Sequence, residues 1–495
     1  MFADQPALYT DLYTLTMSQS FWRRDRNDIV SFEMFVRSLP ANRGYLMAAG
    51  LANVLDYLQN FRFTAQDLDY LRSLPATPRP ERVVYNPELD NGAWRFNPAY
   101  SSEPDPDAEW EFKPLFDEGF LEFLGNLRFT GDVWALPEGT IVPAQTPLAR
   151  VTAPRIQATI IESAILTLIN HATMIATKAS RIVSAALGRP LFDFALRRLH
   201  GPEAALTVAR SSYIAGFAGS ATPAAGQAYG VQVTGTMAHH YVMSYGEDRE
   251  QEAFEHFLAD FPNGTTLLVD TYNTLRGVRR AIAAAETVGR ERLLAIRLDS
   301  GDLAELATAA RAILDAAGFT HTRIFASNDL DEYKIEALVT AGAPIDAFGV
   351  GTMNGVSADA PSLGGVYKIV EQHEVGEARY IMKKAAGKQT DPGSHQVFRT
   401  ADGRYTLAMS NELLDGEQLL APVMKAGKPF GEQPTLTQIR KYAARELAAL
   451  PADVKQLRDP QPLTLNRSAK LWELRARLGD AQAAELVEQA ETVAA

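Results

Sequence analysis

Along the middle of this chain, a series of apolar runs each end in residues able to do polar chemistry. Phe194 and Arg197 follow "RPLFD", His239 lies beyond "YGVQVTG", and Asp270 closes "TTLLVD". Arg297 and Asp299 sit in "LLAIRLDS", Asn328 and Asp329 follow "TRIFAS", and Gly351 and Thr352 end "IDAFGVGT". A guanidinium fork matches a carboxylate or a phosphate. A histidine at a strand end can be a general base, a phosphoryl acceptor or a metal ligand. The glycine turns at 348–352 and 362–368 offer backbone N–H groups that can cradle phosphate. Each signal has a plainer reading: a surface salt bridge, a satisfied histidine, a simple turn. For Arg197 and Arg297 anion binding is the stronger reading, because both belong to strand ends facing one rim. For Lys178, Lys368, Lys383, Lys384 and Lys388 ordinary salt bridging is the stronger one. Chemistry alone does not choose between His239 and its neighbour His240.

These residues need a scaffold that gathers strand ends. Between the apolar runs lie helical patterns at 203–218, 247–260, 274–288, 301–317 and 330–341. Strands alternating with helices imply a parallel sheet with crossover connections, and the continuous apolarity of the strands implies burial on both faces. Many consecutive strand ends carrying useful groups favour a β/α barrel, whose site is its C-terminal rim, over an open sheet with one switch point. The 156–355 span is short for eight repeats, so an irregular or incomplete barrel is expected. Upstream, "VSFEMFVRSL" alternates like a strand and "GYLMAAGLANVLDYLQNF" reads as an amphipathic helix. Residues 74–114 are turn-rich and form an excursion or insertion, locally ordered or mobile. The 157–187 segment, apolar and free of Gly and Pro, reads as a buried helix or helix pair. Strands return after 360, with a hairpin at Asp402-Gly403. Helix formers dominate from 435 onward. The expected divisions are 1–155, 156–355, 356–434 and 435–495.

Composition narrows the function. The chain has 495 residues and a net charge of −12, which argues against a general nucleic-acid binder. It has no cysteine, so a thiolate zinc site or cysteine nucleophile is impossible. The phosphate-loop, dinucleotide, zinc-protease and serine-hydrolase motifs are absent. No apolar stretch is long enough for a membrane span and no secretory signal opens the chain, so the cytoplasm is the default location.

Eleven segments taken together are more specific. "TDLYTLTM", "FVRSLPANRGYLMAAGL", "EGTIVPAQTPLARVTAP", "ATKASRIV", "DFALRRLHGPEAAL", "GTMAHHYV", "LLVDTYNTLRG", "IRLDSGDL", "SNDLDE", "GAPIDAFGVGT" and "LGGVYKIVE" occur in this order over most of residues 8–400. The chain in this respect resembles the nicotinate phosphoribosyltransferases. The resemblance implies an irregular β/α barrel of the type II phosphoribosyltransferase kind. It also implies an α/β sandwich domain built from N-terminal and post-barrel segments, and a helical C-terminal region. It implies an enzyme joining nicotinate to 5-phosphoribosyl 1-diphosphate, giving nicotinate mononucleotide and diphosphate in NAD biosynthesis. ATP hydrolysis is coupled through a phosphohistidine, Mg²⁺ assists, and homodimers share active sites. By the same resemblance His239 is the phosphorylated residue. Phe194 stacks under the pyridine ring and Tyr13 of a neighbouring subunit covers its other face. Arg197 faces ribosyl and nicotinate groups, while Asp270, Arg297 and Asp299 line the phosphoribosyl site. Ser327, Asn328, Gly349, Gly351 and Thr352 hold 5′-phosphate and ribose. No metal ligand is assigned.

The chain departs from the family pattern at Ala195 and in the run Gly219-Ser220-Ala221-Thr222. The related nicotinamide-using enzymes carry an acidic residue near that run, and neutral Ala221 favours nicotinate. Three alternatives stand beside this reading: a nicotinamide phosphoribosyltransferase, a metal-dependent β/α-barrel hydrolase using His239, Asp270 and Asp299, and a silent binding module. Because an arginine–carboxylate pair is a strong charge-assisted contact, Arg197→Ala is expected to raise the nicotinate KM or abolish turnover in a steady-state assay. Equal use of nicotinamide by the unmodified chain would contradict this assignment.

Overall fold

The structure is a computed structural model that describes residues 6–90, 99–374, 377–385, 387–480 and 483–484. Its centre is a six-stranded parallel sheet in the order Thr265–Leu268, Leu293–Leu298, Arg323–Ala326, Ala347–Val350, Leu191–Asp193, Gly219–Ser220. Every neighbouring pair is parallel. The two edge strands do not meet, so the sheet curls into an open half-barrel, the incomplete barrel expected from the span length. Both faces are covered. Ile296, Leu298, Ile324, Phe348 and Val350 are almost fully buried, as a two-sided strand requires.

The helices match the expected segments within a few residues: Pro202–Ala215, Glu250–Asp260, Thr274–Val288, Leu303–Ala316 and Glu332–Thr340. Their starts follow local capping chemistry. Asn273, Asp302 and Asp331 each accept hydrogen bonds from backbone N–H groups of the first turn. The 157–187 segment is a helix pair, Arg155–Ile160 and Glu162–Ala186, the second 25 residues long.

A second, antiparallel sheet has seven strands. Its middle is Gly365–Glu374, Ile29–Val36, Pro147–Pro154, Asp132–Ala135 and Ala421–Lys425. It therefore draws on chain both before and after the half-barrel. A four-stranded sheet lies beside it, with His395–Arg399 paired to Tyr405–Met409 across the Asp402-Gly403 turn.

Four expectations need correction. The 44–61 segment is helical only over Leu51–Asn60. Leu46–Met47 instead pairs with Ile141–Val142, because Gly50 takes a left-handed φ of 98° and interrupts the periodicity. "YGVQVTG" forms no strand in the sheet and touches it through one bridge, Ser220 to Val233. Gly219–Ser220 takes the edge position instead. The 74–114 excursion, by contrast, fits the expectation of local order: it forms an exposed hairpin, Glu81–Tyr85 with Tyr100–Pro104, and its residues 91–98 lie outside the described residues. The C-terminal region carries a strand, Leu465–Arg467, between helices Leu436–Ala449 and Ala469–Arg477, and residues 485–495 lie outside the described residues. Lys178 is no surface residue: it is 1 % exposed and its Nζ lies 2.7 Å from Asp359.

The seven-stranded sheet and the four-stranded sheet are tied by a buried ion pair. His395 Nδ1 lies 2.7 Å from Glu33 Oε2, and Glu33 Oε1 accepts from the His395 N–H at 2.8 Å. Burial pulls the imidazole pKa down, but the Glu33 charge and hydrogen bond, with Asp391, outweigh it and raise the value. A histidine with a raised folded-state pKa contributes stability that is fully present below about pH 6.5 and lost as pH rises through the raised value. His395→Gln is therefore expected to cost about 3 kcal/mol near pH 6. In denaturant titrations the gap to the unmodified chain should narrow toward pH 9; a gap that widens with pH would contradict the protonated pair.

Candidate functional site

The C-terminal ends of the parallel strands converge on two adjoining chambers. One, of about 240 Å³, is lined by Arg198, Ser327, Asn328, Asp329, Gly349, Gly351 and Thr352 and by Asp299. The other, of about 340 Å³, is lined by Leu196, Ala221, Gly235, Thr236, Met237 and Ala238. Phe194, Arg197 and Arg297 line both. The first is dominated by polar groups and turn backbone; the second is largely apolar. A reactant in each would meet across the wall formed by these three residues.

Local structure sets that wall. Asp193 ends its strand, and its buried carboxylate accepts from Ser220 Oγ at 2.7 Å and from the Ala195 N–H at 3.0 Å. This turns the chain so that Phe194 enters the rim. The Phe194 ring stacks on Phe325 with centroids 5.5 Å apart and 19° between planes. The Arg297 guanidinium lies 5.3 Å from the same ring centroid. Glycine is required opposite: a Cβ on Gly349 would sit 2.7 Å from the Phe194 ring. Arg197, in the turn Leu196–Arg198, is exposed, and among the described residues nothing pairs with its guanidinium.

Arg297 and Asp299 organise the polar chamber. Arg297 Nε donates to Ser327 Oγ at 2.8 Å, Nη1 to Thr236 Oγ1 at 3.0 Å, and Nη2 lies 3.0 Å from Asp299 Oδ1. Ser327 Oγ donates to the same Asp299 oxygen at 2.5 Å. Burial raises the Asp299 carboxyl pKa, but the Arg297 charge and the Ser327 hydrogen bond prevail, so it is held below the usual carboxylate range. Its other oxygen lies 3.5 Å from His239 Nε2, and His239 Nδ1 lies 3.2 Å from Thr271 Oγ1. His239 is thus drawn into the site at the first position of helix His239–Tyr245, while His240 is exposed. Asp270 Oδ2 accepts from the Asp299 N–H at 2.8 Å and from Ser300 Oγ at 2.5 Å, which fixes the Asp299 turn. Asp270 Oδ1 is buried with no partner among the described residues. Asn328 and Asp329 hold φ of 115° and 43°. Such left-handed backbone in non-glycine residues is strained and gathers at functional sites.

The structure brings together all but one of the expected site residues. Tyr13 lines neither chamber; it is half-exposed on helix Leu12–Trp22, beside exposed Leu12. The sequence reading missed the supporting groups: Asp193, Thr236, Thr271, Ser300 and Phe325. Their residue types carry no signal, since aspartates, serines, threonines and phenylalanines occur throughout the chain. Only the convergence of strand ends distinguishes them.

Comparison with known proteins bears on this site. Three family models match: the nicotinate phosphoribosyltransferase N-terminal domain over residues 8–81, the nicotinate phosphoribosyltransferase family over 190–414, and its C-terminal domain over 365–475. The nicotinate phosphoribosyltransferase pncB2 of Mycobacterium tuberculosis is 42 % identical over 92 % of this chain and 89 % of its own. The Bacillus subtilis nicotinate phosphoribosyltransferase is 33 % identical over 95 % of this chain and 94 % of its own. The crystal structure of human nicotinic acid phosphoribosyltransferase superposes with a TM-score of 0.76 at 26 % identity, covering 95 % of this chain and 99 % of that one. With relatives this similar matching nearly end to end, the chain belongs to the nicotinate phosphoribosyltransferase family.

Proposed function

We propose that this chain forms nicotinate mononucleotide and diphosphate from nicotinate and 5-phosphoribosyl 1-diphosphate, within NAD biosynthesis. We further propose that ATP hydrolysis drives the step through phosphorylation of His239. The observation that carries this reading is the pair of chambers, one polar and one apolar, sharing Phe194, Arg197 and Arg297. Nicotinate suits the apolar chamber, with its carboxylate on unpaired Arg197. Neutral Ala221 in that chamber favours the acid over the amide. The phosphoribosyl group suits the polar chamber, its 5′-phosphate against the Gly349–Thr352 turn.

In the reaction the pyridine nitrogen forms its bond to the anomeric carbon as the bond to diphosphate breaks, and the leaving oxygen takes the electron pair. Asp299, kept ionised by Arg297, stabilises the positive anomeric centre electrostatically. Phe194, held flat by Phe325 and Arg297, limits where the ring can sit. Mg²⁺ is a hard cation that takes oxygen ligands. Asp299 and the unpartnered Asp270 Oδ1 fit such a role only alongside substrate phosphates, because among the described residues no set of three or more His, Cys, Asp or Glu side chains is arranged to hold a metal. When bound, the ion would neutralise charge on the departing diphosphate. The same donor count disfavours a metal-dependent hydrolase.

The contact of His239 Nε2 with Asp299 links the phosphoryl acceptor to the group that Arg297 and Ser327 also hold. Two negative charges added to His239 would therefore alter the polar chamber, so its ligands bind the two histidine states differently. Tyr13 reaches neither chamber of its own chain, which supports a homodimer whose helix Leu12–Trp22 serves the neighbouring site. Among the described residues no helix is long and apolar enough to cross a membrane, and we place the enzyme in the cytoplasm.

Two experiments test this reading. His239→Asn should abolish ATP hydrolysis and ATP stimulation while leaving slow, ATP-independent nucleotide formation; His240→Asn should change little. Acid-labile label from [γ-³²P]ATP that persists in the His239 variant and vanishes in the His240 variant would reverse the assignment. For the shared site, Tyr13→Ala and His239→Asn chains, each nearly inactive, should on mixing regain about a quarter of full activity. Random pairing makes half the dimers mixed, each with one intact site; no recovery would place both residues in one chain's site.

A further inference from the structure

At the opposite end of the half-barrel, where the parallel strands begin, lies a larger cavity of about 980 Å³. It is walled by the C-terminal ends of helices Glu162–Ala186, Pro202–Ala215 and Glu332–Thr340 and by one face of helix Leu436–Ala449. It shares no lining residue with either rim chamber. Its floor is apolar, with buried Leu447 and Leu457 beneath and the 74 % exposed Leu187 at its lip.

Three cations stand in this wall: Arg440, Lys441 and Lys455. Among the described residues no carboxylate pairs with any of them. Among the described residues the single carboxylate in the wall, Glu336, is held by Arg458 at 2.6 Å. Arg440 is anchored, with Nη2 donating to the Gly216 carbonyl at 2.8 Å and its guanidinium 4.9 Å over the Tyr213 ring. Its Nε is buried and has no acceptor among the described residues. An acidic chain of net charge −12 thus gathers, around an apolar hollow, three cations that have no carboxylate partner among the described residues. Charge complementarity selects an anion, and the apolar floor selects a ligand with a hydrophobic body. The volume lies at the upper end of the roughly 300–1,000 Å³ of small-molecule pockets.

We propose that this cavity is a binding site for an amphipathic organic anion: a flat apolar body bearing one carboxylate, sulfonate or phosphate group. The proposed role is binding: among the described residues no histidine and no unpaired carboxylate lines it. The proposal rests on no role assigned to the rim.

The probe is 1-anilinonaphthalene-8-sulfonate, with N-phenyl-1-naphthylamine as the uncharged comparison, titrated by fluorescence into the full chain. The sulfonate should bind saturably, and saturating 5-phosphoribosyl 1-diphosphate should not displace it. The pair Lys441→Gln and Lys455→Gln should weaken the sulfonate about tenfold, a few-fold for each partly exposed charge, and leave the uncharged analogue unchanged. Ala444→Trp, which fills the cavity from an exposed helix face, should abolish binding of both. All variants should keep the circular dichroism and the turnover of the unmodified chain. The proposal fails if the sulfonate does not bind, if 5-phosphoribosyl 1-diphosphate displaces it, or if it binds both variants as it binds the unmodified chain.

Discussion

One helix holds the molecule together. Glu162–Ala186 runs through both hydrophobic cores: Ala164, Ile165, Leu168 and Ile169 pack under the antiparallel sheet, and Ala172, Ala176, Ala179 and Ile182 pack under the half-barrel. It also carries two buried cations. Lys178 lies 2.7 Å from Asp359, and Arg181 Nε donates to Glu332 at 3.1 Å. Arg43 adds a bond to Asp359 at 2.8 Å. Losing one partner of such a cluster strands a charge in low dielectric, a cost of about 3–5 kcal/mol. The cluster therefore specifies where helix Glu332–Thr340 and the 356–360 loop must sit against the central helix.

That constraint reaches the rim through the chain. Asp359 lies just beyond the Gly349–Thr352 turn, and burial, which raises its pKa, is outweighed by Arg43 and Lys178, which hold it ionised. The turn is thus anchored from behind by ion pairs while its open side faces the polar chamber. A second buried pair, Arg210 with Glu138, both bonds 2.7 Å, joins helix Pro202–Ala215 to the sandwich side, and Glu138 also accepts from the Gly50 N–H. Strained Asn328 and Asp329 persist at the rim because the strands and these anchors over-determine their positions.

The two ends of the half-barrel differ in kind. At the rim nearly every charged group is engaged: Asp299 with Arg297, Ser327 and His239, and Asp270 with the Asp299 turn. Arg197, Arg198 and Asp329 are the exposed exceptions, with no side-chain partner among the described residues. At the far end three cations stand around an apolar floor with no carboxylate partner among the described residues. A parallel sheet produces this asymmetry by construction, because its turns after the strands collect functional groups and its turns before them do not.

Much of this was determined by the sequence alone. Continuous apolar runs alternating with 3.6-period segments specify a parallel sheet with helices on both faces, and helices such as Thr274–Val288 are legible because their caps and periodicity agree. The strand-end residues Phe194, Asp270, Arg297, Asp299 and Gly351 were legible as well, since unusual residue types fall at one phase of a repeating unit; His239, which follows no strand of the sheet, was singled out from His240 only by the family resemblance. Tertiary structure alone decided the rest. Whether six strands close or stay open depends on edge pairing, which no local pattern encodes; the two-residue Gly219–Ser220 strand took the place that the alternation of "YGVQVTG" fits in sequence. The burial of Lys178 was illegible because a lysine looks the same whether its carboxylate partners, here 154 and 181 positions away (332 − 178 and 359 − 178), are near in space or not. The support that Asp193, Thr271 and Phe325 lend the site was illegible for the same reason: hydrogen bonds and ring contacts between distant segments depend on three-dimensional distance, which sequence spacing does not carry.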